Sequence, residues 1–204
     1  DFTDRTSLII GAEGTGNSFL QRYKTTENFE NNSTFDDFGT AAFTELSFRP
    51  LERFALRAGV RAEHSSLLKE ANLAGRLSAA FQVNEHSQFS AAYGNFYQTP
   101  EENMLRFTQS LGFERADHYI LNYQWEQDDR VVRAELYHKE YNNLVTYNAS
   151  QIWNGELYQN GGSGYSRGID IFYRDRKTVK FLEYWLSYSY IDSKRLYRDY
   201  PQKV

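Results

Sequence analysis

Residues 53–64 place Phe54, Leu56, Ala58, Val60 and Ala62 on even positions and Arg53, Arg57, Arg61 and Glu63 on odd ones. A period of two belongs to a strand with two unlike faces; the 3.6-residue turn of a helix does not produce it. Residues 73–83 repeat the pattern, with Leu73, Leu77, Ala79, Phe81 and Val83 set against Arg76, Ser78 and Gln82. Phe89, Ala91 and Tyr93 continue it, and Tyr119, Leu121, Tyr123 and Trp125 alternate with His118, Asn122 and Gln124. The same holds for Val132, Ala134 and Leu136 against Arg133, Glu135 and Tyr137, and for Ile169, Ile171 and Tyr173 against Asp170, Phe172 and Arg174. Leu182, Tyr184, Leu186, Tyr188 and Tyr190 alternate with Glu183, Ser187 and Ser189. Two less regular segments, 6–15 and 38–48, complete a set of nine expected strands.

These segments approach or exceed ten residues, nearer the ~9–11 a tilted strand needs to cross a bilayer than the ~5–6 of ordinary sheets. Their connections alternate. Long or medium links are expected at 16–37, 65–72, 98–116 and 141–164, tight ones at 49–52, 84–87, 127–129 and 175–180, and a terminal loop at 192–204. In an up-and-down meander this gathers every tight turn at one end and every large loop at the other, the layout of an outer-membrane barrel. The expected fold is therefore all-β: an antiparallel up-and-down meander, part of a larger transmembrane β-barrel. Tyr and Phe gather near strand ends, as in 89–97 and 184–190, where amphipathic rings sit at headgroup level. A soluble secreted sandwich, such as a carbohydrate-binding module with the apolar face as its core, is the alternative.

Composition narrows the field. With 204 residues, no Cys, three Pro and thirteen Gly, the chain is not a collagen, a disulfide scaffold or a zinc-thiolate module. Mean hydropathy is −0.71, and no run approaches the ~20 apolar residues of a membrane helix, which leaves spanning by strands open because alternation averages out. A net charge of −4 gives nucleic acid no basic surface to bind. Zero Cys is compatible with an oxidising compartment. Arg53, Arg57, Arg61 and Glu63, with Arg76 on the next strand, are expected to form a ladder on the non-lipid face; an ordinary solvent-exposed sheet face is the alternative. Long charged side chains there need water or partners, which a wide wet lumen supplies and a dry sandwich core does not.

Three stretches resemble the barrel of TonB-dependent outer-membrane receptors, particularly the Bacteroidetes type. Residues 56–63, Leu-Arg-Ala-Gly-Val-Arg-Ala-Glu, are similar to that family's LRxGxRxE strand, and residues 92–101, Ala-Tyr-Gly-Asn-Phe-Tyr-Gln-Thr-Pro-Glu, to its YGxFYQxPE strand end. Residues 160–170, Asn-Gly-Gly-Ser-Gly-Tyr-Ser-Arg-Gly-Ile-Asp, are similar to its NxGxGYARGxE strand entry, and 116–119 and 137–145 resemble further consecutive strands. The resemblance implies a 22-stranded barrel with an N-terminal plug domain, embedded in outer-membrane lipid. It also implies uptake of a scarce small-molecule nutrient (a ferric siderophore, haem, cobalamin or oligosaccharide) with energy from TonB. Plug, TonB box and signal peptide have no counterpart in residues 1–204, nine is an odd number of strands, and no closing strand ends the chain. The whole chain is therefore expected to be an interior piece of such a barrel, in the bacterial outer membrane and not an enzyme.

The candidate chemistry is sparse. His138 and Glu140 share a strand face and Asp117 adjoins His118, but zinc wants three or four ligands, so no metal or cofactor is expected. Ser-His-Asp and Gly-x-Ser-x-Gly signatures are missing, and Gly162, Gly164 and Gly168 miss the dinucleotide spacing; a tight turn into the barrel rim is their expected use. Residues 141–165 are rich in Tyr, Trp and Asn. Tyr147, Asn148, Trp153, Asn154 and Tyr158 are the candidate ligand contacts, since rings stack on apolar faces of a sugar or aromatic chelate while amides bond its hydroxyls. Residues 98–116, with Glu101, Glu102, Arg106 and Arg115, are expected to be a solvated charged loop. Asn32 and Asn148 begin glycosylation triplets, which carry no meaning on a bacterial surface.

Overall fold

The computed structural model describes residues 5–24 and 30–196. They form one nine-stranded antiparallel sheet in sequence order. The strands are β1 (Thr6–Lys24), β2 (Glu30–Leu51), β3 (Phe54–Ser65), β4 (Glu70–Asn84), β5 (Ser87–Gln98), β6 (Glu114–Gln127), β7 (Arg130–Thr146), β8 (Gln159–Asp175) and β9 (Tyr184–Arg195). A four-residue helix, α1 (Glu102–Leu105), and a 3-10 turn (Gly155–Leu157) sit in the two longest loops. This is the expected meander, and among the described residues no second layer covers either face.

The register sorts the side chains. One pairing row runs Leu8, Leu46, Ala58, Leu77, Tyr93, Tyr119; another runs Phe54, Phe81, Phe89, Tyr123, Ala134, Ile171, Tyr188. Most of the large members of these rows are exposed. The opposite face carries Glu45, Gly59, Arg76, Gly94, His118, Lys139, Ser166 and Ser193 in one row. A soluble monomer does not leave an apolar face of this extent in water. A lipid-facing surface requires it, and on β4 the run from Leu73 to Val83 is tall enough, at ~3.4 Å per residue and ~40° tilt, for the ~25 Å apolar band of a barrel.

The tilt can be read from the side chains. The first polar residue above the apolar band is His64 on β3, Asn95 on β5, Asp117 on β6, His138 on β7, Arg167 on β8 and Asp192 on β9. The pairing row through Asn95 and Asp117 meets β3 at Val60, four residues below His64; His138, Arg167 and Asp192 share a row two residues lower still. The frontier thus descends about one residue per strand. With ~3.3 Å along a strand for each ~4.8 Å across it, a level membrane surface corresponds to strands tilted by about 35°, the lower end of the barrel range.

Several boundaries depart from the sequence reading. The expected 16–37 link is largely strand: β1 runs on to Lys24 and β2 starts at Glu30, with residues 25–29 outside the described set. Above the membrane the outward face turns largely polar (Ser18, Asp36, Thr34, with Leu20 the exposed exception), so the hydrophobic alternation fades while the ladder continues. The expected tight link at 175–180 is an eight-residue turn, 176–183, and β9 starts at Tyr184 rather than at 182. β9 also continues into the expected terminal loop as far as Arg195, with residues 197–204 outside the described set. Arg53 lies in the β2–β3 turn, its guanidinium 3.5 Å from the Val83 carbonyl, and is not part of the inward ladder. Gly162, Gly164 and Gly168 lie within β8 and none has positive φ. They make room instead: a Cβ on Gly168 would fall 2.5 Å from the Tyr137 hydroxyl, whose ring crosses above it.

Candidate ligand site: a loop cluster over a polar inner face

The large loops, 66–69, 99–113 and 147–158, emerge at the end where β1 and β2 extend furthest. They pack together. Phe19 of β1 stacks on Phe35 of β2 with centroids 4.9 Å apart, and this pair meets Leu67 and Leu68 of the first loop. Leu105 and Leu111, each 2% exposed, bring in the second loop; Val145 and Tyr158 bring in the third. α1 is only one turn long, and it exists because Leu105 points into this cluster while Glu101 and Glu102 stay in water.

Polar side chains within β2 and at the starts of β4, β6 and β8 fix the loop backbones. Asp37 accepts the N–H of Leu67 (3.1 Å) and the hydroxyls of Ser65 (2.8 Å) and Ser66 (3.4 Å). Glu70 accepts the N–H of Phe113 (3.3 Å), and Glu114 accepts the N–H of Val145 and the Gln98 amide, both at 2.8 Å. Asn160 accepts the Gly112 N–H (2.7 Å) and donates to the carbonyls of Gly112 (3.1 Å) and Asn143 (2.9 Å). Loop N–H groups drawn into an apolar cluster need such partners. The second and third loops touch so closely that a Cβ on Gly155 would fall 2.1 Å from the Phe107 carbonyl oxygen. The expectation of a solvated charged loop over 98–116 is thereby corrected: Glu101 and Glu102 are exposed, but Arg106 and Arg115 are half-buried and the leucines hold the loop down.

The five candidate contacts fall in the third loop and its flanks. Tyr147 and Tyr158 stack with centroids 5.3 Å apart and planes within 10°, Phe107 lies 6.0 Å from Tyr158, and the buried Tyr158 donates its hydroxyl to the Ile152 carbonyl (2.7 Å). Asn148 accepts the N–H (2.9 Å) and hydroxyl (2.6 Å) of Ser150, and Asn154 caps the 3-10 turn through the Glu156 N–H (3.2 Å). Trp153 is 49% exposed at the tip, near Leu157 in sequence, which is also exposed. The structure thus brings Tyr147 and Tyr158 together, gives both asparagine oxygens to the loop backbone, and leaves Trp153 the most exposed of the five.

Beneath the cluster the inner face is polar and paired. Arg61 bridges Glu13 (3.0 Å) and Glu63, and Arg57 reaches Glu45 (3.3 Å). Arg76 lies over the Phe96 ring (4.8 Å), which meets His118 at 4.6 Å. His138 and Glu140, 3.2 Å apart, stand on the outward face, and among the described residues no three His, Asp or Glu converge as a metal site. The arrangement can enclose a solute between fixed loops and a polar wall.

The sequence reading assigns no role to Leu105, Leu111, Asp37, Glu70 or Glu114, and takes Asn160 only as part of an asparagine-rich strand entry. For Glu70, Glu114 and Asn160, a carboxylate or amide at the start of a strand beside a loop is the signal; Asp37 lies within β2, and the leucines carry no local signal.

The family described as TonB dependent receptor-like, beta-barrel, matches residues 2–203. No curated protein sequence matches the chain. Among solved structures, the FrpB iron transporter from Neisseria meningitidis aligns over 96% of this chain and 34% of its own, with TM-score 0.75 and 12% identity. The siderophore receptor PirA from Pseudomonas aeruginosa aligns over 93% and 38%, with TM-score 0.73 and 14% identity. The outer membrane transporter YddB from Escherichia coli aligns over 93% and 31%, with TM-score 0.71 and 14% identity. The chain spans about a third of the length of each.

Proposed function

Because this chain belongs to the TonB-dependent receptor β-barrel family, we propose that it forms about a third of an outer-membrane barrel that takes up a scarce small-molecule nutrient. The observation that carries this reading is the two-faced sheet: an exposed apolar band outside, charged and hydroxyl-bearing rows inside, and a frontier that tracks a tilted membrane crossing. The chain supplies wall and loops for transport and performs no catalysis. The remaining strands, a plug domain and the segment that engages TonB belong to other parts of the receptor. Residues 1–204 are one partial barrel domain.

In this reading the loop cluster meets the cargo. Trp153 offers its ring to an aromatic chelate or a sugar, and Tyr147, Asn148, Asn154 and Tyr158 hold the loop that presents it. Pre-packed loops spare much of the ordering cost of binding. The cargo belongs to the class that combines an apolar or aromatic face with polar edges, as ferric siderophores, haem, cobalamin and oligosaccharides do. The similar structures named for iron and siderophore support the metal-chelate end of this range.

The test is a growth and binding panel in a strain that depends on the full-length receptor, using a ferric catecholate, a ferric hydroxamate, haem, cobalamin and a maltooligosaccharide. One of these is expected to support TonB-dependent growth. Trp153→Ala should then weaken its binding about tenfold, the equivalent of one stacking contact of ~1.4 kcal/mol, while Asn103→Ala leaves it unchanged. TonB-independent growth on all of them, or an unaltered Kd in Trp153→Ala, would contradict the reading or its site respectively.

A further inference from the structure

At the opposite end of the sheet three turns have two residues each, whereas the β8–β9 turn has eight. Asp128 and Asp129 of the β6–β7 turn both have positive φ, as a tight primed hairpin requires. The longer turn is held as firmly as the short ones. Asp175, 1% exposed, accepts the N–H groups of Lys177 and Thr178 (2.8 Å each), the Thr178 hydroxyl (2.5 Å) and the hydroxyls of Tyr173 (2.7 Å) and Tyr184 (3.2 Å). Lys177 pairs with Asp128 (2.9 Å), holding that turn carboxyl below the usual carboxylate range, and Arg176 pairs with Glu183 (2.5 Å).

What this frame presents is apolar. Phe181 is 96% exposed, and Val179 and Leu182 are exposed beside it. Phe181 also has φ of 69°, a left-handed backbone that the described asparagine and aspartates adopt readily and a bulky aromatic residue does not. Lys180 lies 5.1 Å from the Phe181 ring centroid and pairs with no carboxylate among the described residues. A strained, rigidly framed turn that holds a phenyl ring and a cation away from the protein has no role in the sheet's own packing. The adjoining surface identifies the occupant: Leu182 extends the outward parity of Tyr184, and Tyr184, Tyr173 and Trp125 form the lower aromatic border of the lipid-facing band.

We propose that residues 179–182 are a membrane anchor, in which Phe181 and Leu182 enter the headgroup and upper acyl layer of the adjoining leaflet and Lys180 engages lipid phosphate. Aromatic and basic side chains at this depth are favoured together. The turn then fixes the vertical position of the barrel wall beside it.

This rests on the membrane-barrel reading, and the experiment separates the two. Phe181→Cys and Leu121→Cys, each made the sole cysteine of the full-length receptor, take a nitroxide label in vesicles of phosphatidylethanolamine and phosphatidylglycerol. Collision with oxygen is expected to exceed collision with a water-soluble nickel chelate at both sites, with position 181 about 5–10 Å below the headgroup surface. Lys180→Glu should lift the 181 label toward water. Dominant nickel collision at 181 with normal lipid contact at 121 would overturn the anchor alone, as would a 181 label shielded from both reagents by protein. An unchanged depth in Lys180→Glu would remove the lysine from it. Loss of lipid contact at 121 would overturn the barrel reading itself.

Discussion

Leu121→Arg is expected to destabilise the folded barrel in lipid by about 2–4 kcal/mol, while Asn122→Arg, one residue along the same strand, leaves it within about 0.5 kcal/mol. Leu121 is exposed on the outward face of β6 between Tyr119 and Tyr123, in the row with Ala91 and Leu136, so an arginine there meets the apolar band. Asn122 faces inward with its amide 3.5 Å from the Glu135 carboxylate, where water and an opposite charge receive a guanidinium. Equilibrium urea unfolding of the receptor refolded into vesicles, followed by tryptophan fluorescence, checks both. Equal costs at the two positions would mean that the faces do not differ in solvent.

Leu105→Ala is expected to remove about 2–5 kcal/mol of packing from the loop cluster, the range for a fully buried leucine that leaves a cavity. Leu105 touches no part of the lipid-facing band, so the loss should be local: faster amide exchange and protease cleavage in residues 99–113 and 147–158, with the strands still protected. Hydrogen exchange resolved by segment reads this directly. Coordinated loosening of both loops supports a single packed unit, since their contact runs through Phe107, Tyr158 and Gly155. Loosening confined to 99–113 would show that the loops fold separately.

The fold was legible where one face met lipid and the other did not. Residues 53–64, 73–83 and 119–125 carry their environment in every second position, and the strands stand where the alternation puts them. The reading weakened where both faces are wet. Beyond Gly14 on β1 and Phe38 on β2 the outward positions are mostly Gly, Ser, Arg, Thr, Asp and Asn, with Leu20 the apolar exception, so a ladder of nineteen paired positions reads as a loop through its upper half. The loop cluster was hidden for another reason. Leu105 and Leu111 are buried by residues from distant strands, and two leucines among charged neighbours show no local period. Tyr147, Asn148, Trp153, Asn154 and Tyr158 lie in one loop, but composition alone does not separate a ring that packs, as Tyr158 does, from one that is half exposed, as Trp153 is. Asp175 and Phe181 were likewise invisible, because a buried carboxylate and a left-handed phenylalanine belong to turn geometry rather than to pattern.

A nitroxide scan of β6 from position 117 to 126 in the membrane-embedded receptor addresses the central claim most directly. Positions 119, 121, 123 and 125 should collide preferentially with lipid-soluble oxygen and positions 118, 120, 122 and 124 should not, giving a period of two. A flat profile, the opposite phase, or odd positions shielded from lipid by a second layer of protein would contradict it.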